Sequence, residues 1–483
     1  MTDVIHRLTA APGVASPATP ATGRARPKRP RPRAAARQTS SEQRVMDAMI
    51  IVFVITLFVP EAIALHIGSV KLTPMFAISI VLFPMLFVWG RIRWAWPELV
   101  ILVMFCSFFV SISLSSPLMR AIEAIGRMFL VGAVPYLIGR YVVQDTRRLT
   151  RFLSLVISLT AVFGGLALLE SLNRTNIHSI LWGIPYAPHP EDRLGMTRAY
   201  GWTTHSIMYG LVSAIFLPIV LVAVIEKMRV VGKWTVLKAL GLGLGCFLSL
   251  STGAWGPAVL SLLFVAWDYL CKVKPLIRWP VTFSLMIGGY YTLEVLANRP
   301  LLRILMMDLH LSSPEAWYYR WMLYRRVYDV MPGHWWLGHG LFVPPGFRGW
   351  GWSIDNNFLV ILMQYGRIGL TLWIGLFVAV FLHGGKAVWA GLDTPYVRFT
   401  RAVMFGIIGI TLTQLSVALF STPHVLYWLM LGLAVGASQN CAREAKQIKA
   451  RRAAKSQRAR RRSPAGRRSR GGASPAPRLT PAG

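Results

Sequence analysis

The sequence has 483 residues, of which 54% are hydrophobic and only 15% are charged. A soluble protein of this length carries about a quarter charged residues, so the composition excludes an ordinary soluble protein. Apolar windows of about 20 residues recur along the chain, which is the length that a helix needs to cross a bilayer core of about 30 Å. The sequence therefore predicts an all-α integral membrane protein.

The net charge of +33 comes largely from the two ends of the chain. Nine Lys or Arg residues fall within 1–45 and fourteen within 441–483, among Ala, Pro, Ser and Gly. Segments of this composition bury too little apolar surface to fold, so we expect both ends to be disordered basic tails. Anionic membrane lipid is a simpler partner for them than nucleic acid. The first 40 residues lack the apolar core of a signal peptide.

Twelve apolar segments lie between the tails and define a membrane domain over 46–440. Their approximate bounds are 46–66, 72–90, 98–115, 119–139, 150–170, 205–225, 235–250, 254–271, 279–296, 356–383, 402–420 and 423–440. Alternate connections are rich in Lys and Arg, as at Arg91 and Arg93, whereas the connection at 421–424 carries neither. This positive-inside pattern predicts about twelve transmembrane helices with both termini in the cytoplasm.

Two connections on the opposite side of the membrane are long, at about 171–204 and 297–355. Long loops translocate largely regardless of charge, so the arginines they contain are compatible with an extracytoplasmic location. The four cysteines are scattered and match neither a disulfide framework nor a metal motif. We therefore expect no metal site and no cofactor.

The fourth predicted span carries three charged residues, Arg120, Glu123 and Arg127, whose spacing puts them on one face of a helix. Ionisable groups at membrane depth are costly, so they usually face a polar interior and pair with one another. They indicate a polar lining below an extracytoplasmic site, a proton relay or a structural ion pair near the interface. The sequence leaves these alternatives open.

The first long loop ends with Arg198 and Gly201, just ahead of His205 at the start of the sixth span. A guanidinium group holds phosphate oxygens bidentately and stays charged at any relevant pH. Arg198 at the rim of a helix bundle therefore suits the capture of an anion, and His205 is placed to approach the same site. Arginine and histidine are also common at membrane interfaces for structural reasons alone.

The second long loop contains an amphipathic segment over 314–330. One stripe at helical spacing is formed by Trp317, Arg320, Trp321, Tyr324 and Val327 or Tyr328. This pattern predicts a helix that lies on the membrane surface or caps the bundle. Arg320 falls inside the stripe, where it needs either a ligand phosphate or a stack of aromatic rings as its partner.

A Gly-rich bend that displays His339 follows this segment. Twelve aromatic residues lie between Trp317 and Trp352, a composition that suits stacking on sugar rings and is equally typical of a membrane-interface belt. Asp355 and Asn356 then stand at the start of the tenth span. A carboxylate at that position is either functional or a helix cap.

These residues resemble the core signature of the superfamily of O-antigen ligases and of O-antigen and exopolysaccharide polymerases. In that signature a Gly-x-Gly bend is followed by His-Asn or Asp-Asn, an aromatic-Leu pair and a Gly-x-x-Gly-Leu helix. The matching positions are Gly338, Gly340, Phe342, Asp355, Asn356, Phe358, Leu359, Gly366, Gly369 and Leu370. Arg198, Gly201 and His205 are similar to a second family element, and Arg320 matches the arginine ahead of the bend. The Asp-Asn form looks more like the exopolysaccharide-polymerase branch.

The resemblance implies a metal-independent, inverting glycosyltransferase of the bacterial inner membrane, which polymerises or ligates glycans carried on undecaprenyl pyrophosphate at the extracytoplasmic face. Its partners would be the lipid-linked oligosaccharide donor, a glycan or lipid acceptor, membrane lipids and other polysaccharide-assembly proteins. Arg198 and Arg320 would bind the pyrophosphate, and Asp355 or else His339 would take the acceptor proton. The residues implied to contact substrate are His205, Trp317, Trp321 and Asn356.

Two other classes of function stay open. A transporter of polysaccharide or lipid-linked sugar also needs about twelve spans and uses buried charges. Such transporters often have paired repeats and interrupted helices at matching positions, and the sequence shows no such pairing. A non-catalytic assembly partner would depend on its basic tails instead.

Overall fold

The computed structural model describes residues 41–67, 70–183, 192–296, 314–344, 347, 354–389 and 394–462. These residues are mostly helical. The helices are α1 (Ser41–Thr56), α2 (Pro74–Trp89), α3 (Trp96–Ser115), α4 (Leu118–Val131), α5 (Ala133–Val142), α6 (Thr146–Asn173), α7 (Ile177–Trp182), α8 (Ser206–Ile225), α9 (Thr235–Leu248), α10 (Thr252–Leu270), α11 (Pro275–Leu296), α12 (Pro314–Val330), α13 (Asn357–Trp389), α14 (Pro395–Thr413) and α15 (Ser421–Arg462). Two short antiparallel hairpins pair β1 (Leu65–Ile67) with β2 (Val70–Leu72) and β3 (Asp192–Arg193) with β4 (Met196–Thr197).

Eight helical segments within the described ranges are long and apolar enough to cross a membrane. They are α3, α4 joined with α5, α6, α8, α10, α13, α14 and α15. This confirms the all-α class and describes a multi-pass membrane protein. Helices also lie at the four other predicted spans, but α1, α2 and α9 have only 16, 16 and 14 residues, and α11 is not among the eight. The number twelve stays a prediction.

Helix extends beyond both ends of the predicted membrane domain, 46–440, whose limits stay a prediction. α1 begins at Ser41, and α15 continues without interruption to Arg462. The expectation of a disordered tail from 441 onward is therefore wrong for 441–462. The physical reason is that this stretch is rich in Ala, Arg, Lys and Gln, which favour helix, and extends a helix that is already nucleated. Residues 1–40 and 463–483 lie outside the described part of the chain.

The core of the bundle is built around α8, α14 and α15. Between 72% and 89% of their apolar windows is buried, compared with 39% for the other five spanning segments. Burial does not follow hydropathy here, because α14 carries Arg398 and Arg401 and its mean hydropathy of 1.2 is below the 2.3 of the less buried α6. The three buried helices are the scaffold on which the connecting segments are mounted.

α13 is interrupted at Gly366, which has φ 64° and ψ −166°. The backbone of the preceding loop inserts there: the amides of His339 and Gly340 donate to the carbonyls of Met363 and Gln364, each at 2.8 Å. In return, the amide of Arg367 donates to the Trp335 carbonyl at 2.7 Å. The loop thus supplies the backbone hydrogen bonds that the interrupted helix lacks, as membrane depth requires.

Glycine is required on both sides of this contact. Gly338 and Gly366 both have positive φ, and a Cβ on either would collide with backbone atoms of the other segment. Ser111 of α3 closes the junction, because its hydroxyl donates to the carbonyls of Leu337 and Gln364. The Gly-x-Gly bend and the glycine within α13 are therefore two halves of one packed crossing.

α12 confirms the helix predicted over 314–330, but its buried face differs from the predicted stripe. Leu323 and Val327 are buried against the first turns of α13, together with Met331 just beyond the helix. Of the two alternatives for the last place in the stripe, Val327 is buried and Tyr328 is 58% exposed. The aliphatic side chains take the interior because they leave no polar atom to satisfy. α12 thus caps the bundle over α13.

The charges of the fourth span also have a defined setting. Arg120 and Arg127 are exposed on α4, and Glu123 is half-buried. Exposure of the two arginines favours the structural alternative near the membrane interface over a relay through the interior. An arginine on the outer surface of a bundle is long enough to place its charge at the membrane interface.

Candidate functional site

Three of the residues singled out by sequence line one cavity of about 490 Å³. They are His205, Arg320 and Asp355, and they reach it from the start of α8, from α12 and from the segment that leads into α13. The segment after α14 closes the far side with residues 416–420. The predicted eleventh span, 402–420, ended too late, since α14 stops at Thr413 and leaves this turn free to line the cavity.

The cavity has a polar patch within an apolar wall. Its five polar lining residues are His205, Arg320, Asp355, Gln364 and Ser416, and the other ten are apolar. A pocket of this size and character suits a ligand with a hydrophobic body and a few polar groups to be oriented. An amphiphile fits it better than a fully hydrated sugar chain alone.

Asp355 is held in place by its neighbours. Asn356 donates through Nδ2 to the Tyr324 hydroxyl at 2.8 Å and to the Leu415 carbonyl at 2.7 Å, and its Oδ1 accepts from the Leu359 amide at 3.0 Å. Asn357 donates to the Gln414 side chain at 2.7 Å. Asn356 is therefore the helix cap of α13 and joins α12 to the end of α14. Asn356 and Asn357 thus hold the start of α13, and the partly exposed Asp355 lines the cavity.

Arg320 is positioned by α12 and interacts electrostatically with two loop residues. Burial lowers the pKa of its guanidinium, the Asp355 carboxylate opposes this shift, and the nearby Arg193 reinforces it. An arginine remains ionised despite such a shift, so the cavity contains a fixed positive charge beside a carboxylate. Arg193 belongs to the β3–β4 hairpin, so the first long loop comes close to the second.

His205 caps α8. Its Nδ1 accepts a hydrogen bond from the Ile207 amide at 3.2 Å. Because one nitrogen of a neutral imidazole carries the hydrogen when the other accepts, Nε2 is a donor in this arrangement. His205 can therefore donate to an anion in the cavity, whereas accepting a proton at Nδ1 would break the cap.

Arg198 does not line this cavity. It is only 4% exposed, and its Nε donates to the Ser249 carbonyl at 3.2 Å. The loop around it is held by Glu170 of α6, whose carboxylate accepts from the amides of Tyr200 at 3.1 Å and Gly201 at 3.0 Å. Sequence reasoning passed over Glu170, although an acid at the end of an apolar span was a usable signal.

His339 also lies outside the cavity lining. Its Nε2 is 2.9 Å from the Val330 carbonyl at the end of α12, and its ring stacks on His334 with centroids 4.0 Å apart. Burial lowers the pKa of His339, the Val330 carbonyl opposes the shift and His334 adds to it. The side chain ties α12 to the bend, so the geometry favours Asp355 over His339 as a base.

The two tryptophans predicted to contact substrate are not among the lining residues. Trp321 is half-buried on α12, and the guanidinium of Arg325 lies 5.9 Å from the centroid of its ring. The side chain of Trp317 lies outside the described residues. Gln364 and Ser416 line the cavity and were missed, because nothing local distinguishes them from other polar residues at helix ends.

Among the residues that the structure describes, no group of three or more His, Cys, Asp or Glu side chains is arranged to hold a metal ion. The fold and this site define a multi-pass helical membrane protein with a charged, partly apolar cavity at one end of its bundle. No protein-family model and no curated protein sequence matches the chain.

Proposed function

We propose that the protein is a metal-independent glycosyltransferase that acts on glycans carried by a polyprenyl pyrophosphate. The observation that carries this proposal is the convergence of Arg320, Asp355 and His205 on one cavity with a mainly apolar wall. A lipid-linked pyrophosphate glycan matches this combination of apolar and charged surface, because it has an apolar tail, an anionic pyrophosphate and a hydroxyl-rich glycan. The resemblance of the motifs to O-antigen ligases and polymerases supports the same conclusion.

The reaction is a single displacement. The hydroxyl oxygen of the acceptor forms a bond to the anomeric carbon of the donor, the bond from that carbon to the pyrophosphate oxygen breaks, and Asp355 accepts the hydroxyl proton. Negative charge grows on the departing pyrophosphate, which the Arg320 guanidinium and the Nε2–H group of His205 stabilise. Displacement from the opposite face inverts the anomeric configuration. Arg198 remains a predicted pyrophosphate ligand.

In this proposal the protein resides in a bacterial inner membrane with both termini in the cytoplasm. The cavity then opens on the extracytoplasmic face, because the ends of α8 and α14 that border it are opposite the connections rich in Lys and Arg. Polymerase activity is favoured over ligation by the Asp-Asn form of the motif.

The direct test uses purified protein in lipid nanodiscs with undecaprenyl-pyrophosphate-linked repeat units, and it follows product length by gel. A ladder of products identifies a polymerase, and a single transfer to a lipid acceptor identifies a ligase. Donor that stays chemically unchanged under all acceptor conditions contradicts the enzyme proposal.

A transporter of lipid-linked sugar is the second candidate, because α13 is an interrupted helix and its break borders the cavity. Backbone from the Trp335–Gly340 bend fills that break, however, and leaves its carbonyls bonded to the protein rather than open to a cargo. In sealed proteoliposomes a transporter would move the labelled donor across the bilayer without changing its glycosidic linkages.

A further inference from the structure

A second cavity, of about 380 Å³, lies at the opposite end of the same two helices. α8 begins at the first cavity and is followed by residues 226–230, which line the second one. α14 runs the other way, with its first turn at the second cavity and the turn after it at the first. A helix of about 20 residues is about 30 Å long, so the cavities are separated by roughly the thickness of a bilayer core.

The lining of this second cavity has an excess of positive charge. Lys227, Arg229 and Arg398 line it against one carboxylate, that of Glu226. Glu226 already accepts from the Tyr269 hydroxyl at 2.7 Å and pairs with Arg398. The side chains of Lys227 and Arg229 therefore give the cavity its surplus charge.

The rest of the lining is divided between hydroxyl groups and apolar side chains. Thr146, Thr150 and Tyr396 supply the hydroxyls, and those of Thr146 and Tyr396 bond to each other at 2.7 Å, which leaves one of the pair a hydrogen to donate. Leu149, Met228, Val230, Pro395 and Phe399 supply apolar surface. Hydroxyls and cations together are the usual donors to phosphate oxygens. The start of α14 at the same cavity adds the positive end of a helix dipole.

The backbone at Lys227 has a conformation that a lysine does not adopt without strain. Its φ is 51°, in the left-handed region that glycine occupies freely at helix ends. Six other non-glycine residues within the described ranges also have a positive φ, so this conformation is not specific to the cavity. It shows that glycine can replace Lys227 without strain, which makes position 227 suitable for a variant that removes the charge.

We infer that this cavity binds a phosphate group, with Lys227 and Arg229 as its principal cationic ligands. A phosphate group has several acceptor oxygens, which can bond to the cations and the hydroxyls of the lining together. Its source is either an anionic phospholipid, whose acyl chains would contact the apolar side of the cavity, or a free phosphate ion. The inference is independent of the proposed glycosyltransferase activity.

The test compares the wild-type protein in detergent with the double variant Lys227→Gly/Arg229→Gln by native mass spectrometry. Phosphatidylglycerol is titrated in one arm and inorganic phosphate in another, with zwitterionic phosphatidylcholine as the reference lipid. Because each cation near an anionic headgroup contributes about fivefold to affinity, we expect the double variant to bind at least about tenfold more weakly. Lys233→Gln is the matched control, since it removes an exposed lysine from the same connection without touching the lining; its binding should stay within about twofold of wild type.

The variant is designed to keep its fold, because glycine relieves the strain at position 227. Its melting temperature should equal or exceed that of the wild type, and Lys227→Gly alone serves if the double variant does not purify. Preferential binding of phosphatidylglycerol identifies the lipid headgroup as the source, and saturable binding of inorganic phosphate identifies the free ion. Wild-type affinity in the variant, or equal binding of both lipids with no binding of phosphate, overturns the inference.

Discussion

The two cavities share α8 and α14 but differ in where their charged groups come from. At the first, His205, Arg320 and Asp355 are brought together from three distant segments, and cation and carboxylate stand side by side. At the second, Lys227 and Arg229 come from a single turn, and the charge is one-sided. A balanced set of acid, base and donor suits a reaction, whereas surplus charge of one sign suits binding alone. The buried helices are common to both, so the connecting segments decide the chemistry.

The contrast predicts that the largest effect on activity comes from replacing Asp355 of the first cavity by Asn. The amide cannot accept the acceptor proton, so we expect glycosyl transfer to fall by about 10³-fold, within the usual range for a general base. Product ladders in the nanodisc assay measure it. Asp329→Asn, an exposed residue of α12, is the control and should leave the rate unchanged. An Asp355→Asn protein that retains normal activity would remove Asp355 from the mechanism.

Replacing Arg320 by Gln should come next, with a loss of about 10²-fold in the rate of transfer. The neutral amide keeps part of the size and polarity but withdraws the charge that stabilises the departing pyrophosphate. Arg325→Gln on the exposed side of the same helix is its control. If Arg320→Gln weakens only donor affinity and leaves the turnover rate intact, the guanidinium binds the ground state and does not act in the transition state.

Replacing Gly366 by Ala should destabilise the protein at the crossing between α13 and the 335–340 bend, beside the first cavity. The added Cβ would collide with the Trp336 backbone in a left-handed conformation, so we expect a loss of about 2–5 kcal/mol in stability. Thermal unfolding in detergent measures the loss, and Gly375→Ala, where a Cβ meets open space, is the control. Equal melting temperatures for the two variants would show that the crossing tolerates a side chain.

Acidification should have the smallest effect, a loss of stability that comes from proton uptake by His339 on unfolding. Burial lowers the pKa of its imidazole, so the unfolded chain binds a proton more readily than the folded one. Stability should therefore be complete above the unfolded pKa of about 6.5 and decline as the pH falls below it. Melting curves between pH 5 and pH 8, as rough limits around that value, should be flatter for His339→Gln than for the wild type. A steeper curve for the variant would contradict this origin.

Sequence patterns predicted the individual helices better than their assembly. The periodicity of residues 314–330 was enough to place α12, because it reports one helix and its two faces. The break at Gly366 was not predictable, since helix continues on both sides of it and the break depends on hydrogen bonds from the bend at 335–340. The helix over 441–462 was missed because the high Lys and Arg content was taken to indicate disorder, although Ala, Arg, Lys and Gln also favour helix.

For the candidate site, the types of functional side chain were easier to predict from the sequence than their positions in the folded protein. Residue type and order pointed to Arg320, Asp355 and His205, and these line one cavity. The same reasoning could not separate Arg198 and His339 from them, because both are buried and hydrogen-bonded outside the lining, and burial depends on packing. Asn356 illustrates the point: its type suits a substrate contact, but its hydrogen bonds make it a helix cap.

The contact between Ser111 and Gln364 has a consequence for how the protein is made. Its two partners are separated by 253 residues of chain, so α3 is complete long before the segment that it will hold. At a synthesis rate of about 5–20 residues per second, the interval is on the order of 10–50 s. During that time the serine hydroxyl can bond to a carbonyl of its own helix, as Ser113 does, or to water. The first cavity is therefore among the last features to form, after most of the chain has entered the membrane.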